Sequence, residues 1–198
     1  MLKIGDKKLI NAWAFYDWAN SVYSLVISTA VFPLYYTAVT KDKTVQFLGM
    51  DWDHPDALYS YALSFSFLVV AFMSPILSGI ADYTGSKKKF MKFFCALGSI
   101  SVMSLYFFDS VDTVWIGIVF TMFASIGFWS SIVFYNAYLP EVAEPEQQDR
   151  ASAKGFIFGY AGSVILLIIN LIMIQMPEIF GITSAMASRI SFVMVGLW

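Results

Sequence analysis

Residues 58–81 read LYSYALSFSFLVVAFMSPILSGIA, with Asp56 shortly before the stretch and Asp82 directly after it. No acidic, basic or imidazole side chain interrupts it. A hydrocarbon core about 30 Å thick takes roughly 20 apolar residues of helix, so this segment is long enough to cross a bilayer. Runs of the same kind lie on either side. Spans are expected at about 12–38, 58–81, 90–108, 113–139, 155–176 and 182–198. The first contains Asp17 and is expected to be kinked or capped at Pro33. The last contains Arg189, has no polar flank after it, and is expected to be cut off within the bilayer, with a C-terminal half of the protein missing. The fold class that follows is an all-α polytopic membrane protein.

Composition agrees. Of 198 residues, 59% are hydrophobic and 13% charged, against about 45–50% and about 25% in soluble domains. A net charge of −2 without a large basic stripe argues against a nucleic-acid partner. Cys95 is the single cysteine and His54 the single histidine. They leave no disulfide framework, no metal cluster and no histidine-based triad. No glycine-rich nucleotide loop is present either, which argues against a primary pump. No cofactor, metal or catalytic residue is expected, and the partner that this composition implies is the lipid bilayer.

Lysine and arginine set the expected orientation. Lys3, Lys7, Lys8, Lys87, Lys88, Lys89, Lys92, Arg150 and Lys154 fall on one side, and only Lys41 and Lys43 on the other, among aspartates. The N-terminus is therefore expected to be cytoplasmic. Trp13, Trp18, Tyr35, Tyr36, Trp52, Tyr59 and Trp115 fall near the interfaces, as aromatic belts do. A signal peptide is the competing reading of the N-terminus, but the apolar run is too long for one, carries Asp17 and lacks a cleavage site.

Polar groups inside the spans face protein or a watery cavity. Asp17, Ser21, Ser24 and Ser28 follow one helical stripe, with Asn20 beside it. Two readings stand level: a wall of a polar cavity, or a hydrogen-bonded packing seam. Asp17 likewise has two roles open to it: it can carry a coupling proton, or hold structure near a helix N-terminus, and the second is preferred. Trp129 and Asn136 of the fourth span are further polar candidates. Gly155, Gly159 and Ser163, at four-residue spacing, read as a close helix-packing seam. Arg189 lies too far along the bilayer from Asp17 to pair with it and is expected to reach outward. Phe15-Tyr16-Asp17 and Phe134-Tyr135-Asn136 share a pattern that either echoes a three-plus-three repeat or is chance.

Between the second and third spans the chain reads Asp82-Tyr83-Thr84-Gly85-Ser86-Lys87-Lys88-Lys89. Gly85 permits the positive φ of a tight reversal. Asp82 at a helix C-terminus opposes the helix dipole, so it needs a partner elsewhere. Asp82, Gly85, Lys87 and Lys88 resemble the loop signature of the major facilitator superfamily, with Ser78 at its first glycine and Ser86 at a basic position.

A closer resemblance covers most of the chain. Tyr16-Asp17-Trp18-Ala19-Asn20-Ser21, Phe134 to Pro140, and Ser152-Ala153-Lys154-Gly155 through Gly159-Tyr160-Ala161-Gly162 resemble the branch of autophagy-linked vacuolar amino-acid effluxers and their bacterial relatives. That resemblance implies the six-helix N-terminal half of a transporter of about twelve spans, working by alternating access. It places the first and fourth spans around a central cavity, and Asp82, Lys87 and Arg150 in a cytoplasmic gate. Amino-acid or related metabolite efflux is the expected activity, and the bacterial plasma (inner) membrane the expected location. The arginine that proton-coupled relatives carry in the fourth span is absent, and Tyr160 stands at the proline of the antiporter signature. The rival reading is a non-transporting membrane scaffold or sensor on the same bundle.

Overall fold

The computed structural model of the chain describes residues 3–198 and turns the apolar runs into helices. The first is a rod of 34 residues, Lys7–Thr40, made of three parts. Helix α1 (Lys7–Asn20) starts at Asp6, whose carboxylate accepts the Lys8 amide at 2.9 Å. A π-helical segment, Tyr23–Val31, follows, and then α2 (Phe32–Thr40). The π turns close between residues five apart: the Phe32 amide bonds the Ile27 carbonyl, and the Thr29 hydroxyl donates to the Ser24 carbonyl at 2.8 Å. Pro33 sits where this wider ladder returns to α geometry.

The loop after α2 forms a two-stranded hairpin, β1 (Val45–Phe47) against β2 (Met50–Trp52). Leu48 and Gly49, both at positive φ, make its two-residue turn. The remaining helices are α3 (Pro55–Thr84), α4 (Lys87–Ser104), α5 (Val114–Ala137), the short α6 (Leu139–Val142), α7 (Gln148–Gln175) and α8 (Ser184–Leu197). Five helices are long and apolar enough to cross a membrane. Helix α8 has 14 residues, about 21 Å, which is shorter than the hydrocarbon core.

Lipid is as apolar as leucine, so helices in a bilayer associate through close packing and interhelical bonds. Helix α1 packs on α7, α3 and α4 both pack on α5, and α8 packs on α4 and α7. Exchanging the first three membrane helices for the last three converts the α1–α7 contact into α5–α3 and leaves α4–α8 unchanged, as a three-plus-three repeat requires, but α4–α5 and α7–α8 have no counterparts of like extent, so the packing follows such a repeat only in part. The Phe15–Asp17 and Phe134–Asn136 echo is not part of that pattern. One lies near the middle of α1 and the other near the end of α5, and they meet instead: Tyr16 stacks on Tyr135 with centroids 5.1 Å apart.

A close backbone contact joins α4 and α5. A Cβ added at Gly127 would stand 2.5 Å from the Gly98 nitrogen and 2.7 Å from the Phe94 carbonyl oxygen, so the two backbones touch. At the hairpin end, Phe32, Tyr35, Tyr36, Phe108 and Phe192 form a buried aromatic cluster. The Tyr35 hydroxyl donates to the Phe108 carbonyl at 2.8 Å, and that of Tyr36 to Pro55 at 3.0 Å. Arg189 points toward this end, with its guanidinium 4.6 Å from the Tyr106 ring centroid and 3.9 Å from the Asp109 carboxylate.

Candidate functional site

The α1–α7 contact brings together the polar stripe and the glycine seam that the sequence places on separate helices. The Ser21 hydroxyl donates to Asp17 Oδ1 at 2.5 Å. Both side chains lie against bare backbone: a Cβ at Gly159 would meet Ser21 Oγ at 2.7 Å and Asp17 Cγ at 3.1 Å. One at Gly155 would lie 2.9 Å from the Tyr135 hydroxyl and 3.5 Å from Asp17 Oδ2. The carboxylate and the phenol of α5 therefore converge on the same glycine. Tyr135 is clamped by Trp13, which stacks on it at 4.3 Å and donates its indole N–H to the Tyr135 carbonyl at 3.0 Å. The Tyr135 hydroxyl is buried and has no hydrogen-bond partner among the described residues.

Beyond Asp17 and Ser21 the stripe does not run as α-helical spacing predicts. The wider π turns carry Thr29, not Ser28, onto the face of Ser24. Ser21, Ser24, Thr29, Gly159, Tyr160 and Ser163 line an open cavity of about 240 Å³ between the first span and α7. Ser28 stays half-buried outside it. Asn20 turns the other way, into the bundle. Its Oδ1 accepts from Tyr16 at 3.5 Å and Ser131 at 3.4 Å, while its Nδ2 is buried without a partner among the described residues. It lines a second cavity, about 200 Å³, with Tyr23, Cys95, Ser99 and Trp198.

Trp129 and Asn136 join neither group. Trp129 packs by its ring against Phe128 and against Phe67 of α3, and Asn136 lies exposed near the end of α5.

The turn between α3 and α4 holds a third feature. Gly85 ends α3 at φ 62°, and its neighbour Ser86 bonds back to the Ala81 carbonyl at 2.9 Å. No atom lies within 4 Å of a Cβ built on Gly85, so backbone conformation alone calls for glycine there. Lys87 Nζ then bridges Asp82 at 2.9 Å and Glu141 at 2.7 Å. One cation thus ties the end of α3, the start of α4 and the short α6. Glu141 escapes a sequence reading because it lies 54 residues away; its one signal is an acid directly after Pro140, at the end of an apolar run. Arg150 is not in this network. It borders a separate pocket with Lys7, Asn11 and Gln147. Lys88 is exposed and has no acidic partner among the described residues.

Comparison with known proteins follows the same outline. The family described as "Vacuole effluxer Atg22 like" matches residues 5–198. An "Uncharacterized MFS-type transporter", YxiO, of Bacillus subtilis (strain 168) is 37% identical over 190 residues, covering 95% of this chain and 43% of that protein. A protein of Aquifex aeolicus (strain VF5) is 26% identical over 171 residues, covering 86% of this chain and 40% of its own length. "Autophagy-related protein 22" of Pyricularia oryzae is 24% identical over 181 residues, covering 73% of this chain and 26% of the fungal protein. The chain thus spans less than half the length of these relatives. No solved structure matches it significantly.

Proposed function

The chain belongs to the Atg22-like vacuole effluxer family, and on that premise we propose that it forms the N-terminal six-helix unit, residues 1–198, of a secondary active transporter for a small solute. Amino acids or related metabolites are the proposed cargo, exported by alternating access. The relatives' names, an MFS-type transporter and an autophagy-related protein, support the class. The observation that carries the reading is the α1–α7 seam: a carboxylate and a hydroxyl within an apolar span, laid on glycines, with Ser21 opening onto a cavity. Few side chains interlock there, so the two helices can slide or rock with little repacking. Ionisable groups at membrane depth are costly and mark functional sites.

In this reading the lysine-rich end, with the N-terminus, faces the cytoplasm of a bacterial cell, and Lys87 with Asp82 and Glu141 closes that end in one of the two states. A network of this kind biases an equilibrium only if its ion pairs form in one state and break in the other. Lys87→Gln is therefore expected to raise the labelling of a cysteine at Tyr160 (in a Cys95→Ser background) by a membrane-impermeant reagent from the lysine-bearing side. Identical labelling rates with and without Lys87 would remove the gate from the mechanism.

Asp17 is assigned to holding the seam rather than to carrying a proton. Asp17→Asn keeps the shape and the acceptor for Ser21, so counterflow and its pH dependence are expected to persist. Loss of the pH response with exchange intact would make Asp17 the proton carrier. The reading as a whole is tested by counterflow of a labelled amino-acid mixture into proteoliposomes of the full-length protein. Saturable exchange of any member is expected; none across the mixture would overturn amino-acid export and favour another solute class or a non-transporting role.

A further inference from the structure

Helices α3 and α4 are consecutive and joined through Gly85 and Ser86, yet they barely touch, and each packs on α5 instead. The gap between them is an open groove of about 850 Å³. Phe123 and Ile126 of α5 form its floor; Met73 and Leu77 of α3 and Phe93 and Leu97 of α4 line its walls. Its character changes at the end near the turn, where Thr84, Ser86 and Lys89 complete the lining.

Two features identify the occupant. The first is length. Along α3 the lining runs from Val69 to Thr84, about 22 Å at 1.5 Å per residue. One leaflet with its headgroup layer is about 20–22 Å deep, half of a bilayer of about 40–45 Å. The second is charge. The two acids that reach the turn, Asp82 and Glu141, are both held by Lys87. Lys89, and its neighbours Lys88 and Lys92, have no acidic partner among the described residues. The groove therefore offers a slot as deep as a leaflet, apolar along its length and cationic at the headgroup level.

We propose that the α3–α4 groove binds one anionic phospholipid, with an acyl chain lying between the two helices and its phosphate on Lys89. A zwitterionic lipid would fill the apolar slot but leave the lysines unneutralised, and basic pockets between membrane helices select anionic headgroups. Because α3 continues through Asp82 into the turn that Lys87 bridges, a lipid in this groove would brace the α3–α4 reversal from its membrane side.

The test is native mass spectrometry of the full-length protein titrated with phosphatidylglycerol and phosphatidylcholine of the same acyl chains. The expected result is preferential retention of phosphatidylglycerol, reduced about fivefold by Lys89→Gln, since a lysine at an anionic surface is worth about 1 kcal/mol, and restored by Lys89→Arg. Leu97→Trp, which narrows the slot and leaves Lys89 intact, is expected to weaken retention of the adduct. Equal retention of the two lipids, insensitivity to Lys89→Gln, or phosphatidylglycerol retention unchanged by Leu97→Trp would each overturn the proposal. The last would show that the slot is covered by the rest of the full-length chain or that the lipid sits on surface charge alone.

Discussion

Gly127→Ala is expected to disrupt the bundle, whereas Gly98→Ala, on the other side of the same contact, is expected to be tolerated. The two glycines face each other between α4 and α5, and a sequence offers no reason to separate them. The geometry does. A Cβ on Gly127 would lie 2.5 Å from the Gly98 nitrogen, 2.7 Å from its Cα and 2.7 Å from the Phe94 carbonyl oxygen. These are backbone atoms of a helix and cannot rotate aside, so α4 and α5 must part along their whole contact. Overpacking commonly costs about 1–3 kcal/mol, and a rigid obstacle belongs at or above the top of that range. A Cβ on Gly98 points between atoms at 3.5, 3.6 and 3.7 Å, which is ordinary contact. Alanine there also gains up to about 1 kcal/mol of helix propensity. The check is the thermal midpoint and monodispersity of the full-length protein in mild detergent. Gly127→Ala should lose its monodisperse peak or fall by many degrees, with Gly98→Ala at or above the parent; equal behaviour would mean that the two helices do not meet backbone to backbone.

That asymmetry marks the boundary of what the sequence discloses. Hydropathy is a property of segments, so Leu58–Ala81 and its neighbours announce their helices, and the family resemblance that their motifs carry is upheld over residues 5–198. Side-chain period is a finer property, and it misleads in the first span. The stripe through Asp17, Ser21, Ser24 and Ser28 presumes α spacing, but the π-helical Tyr23–Val31 widens each turn and brings Thr29 onto the face of Ser24. A hydropathy window is blind to that change. The hairpin escapes notice because its turn is Leu48-Gly49 rather than Asn-Gly. Pairings between distant residues are the least legible. Asp82 visibly needs a partner, but neither the bridge through Lys87 to Glu141 nor the clamp of Trp13 on Tyr135 is encoded in local spacing.

Gly159→Ala and Gly162→Ala, nearly one turn apart on α7, are expected to fail in different ways, and the difference bears directly on whether the α1–α7 seam moves. A Cβ at Gly162 would stand 2.5 Å from the Trp18 carbonyl oxygen. The obstacle is backbone, so α1 is pushed away and the expected loss is folded protein. At Gly159 the obstacles are side-chain atoms: Ser21 Oγ at 2.7 Å, Ser21 Cβ at 3.1 Å and Asp17 Cγ at 3.1 Å. Serine can rotate, and doing so breaks its 2.5 Å bond to Asp17. The protein should fold in near-normal amount with the carboxylate freed and the seam roughened. If alternating access requires α1 and α7 to shift past each other, counterflow should fall by about tenfold or more, the equivalent of about 1.4 kcal/mol on the limiting step. Adding Ser21→Ala removes the closest atom of the clash, so the double variant should recover part of the loss, a coupling that two independent lesions would not show. Counterflow that survives Gly159→Ala unchanged would make the seam a static joint, with Asp17 and Ser21 serving only to fasten two helices, and would move the search for the solute path to the interior cavity beside Asn20.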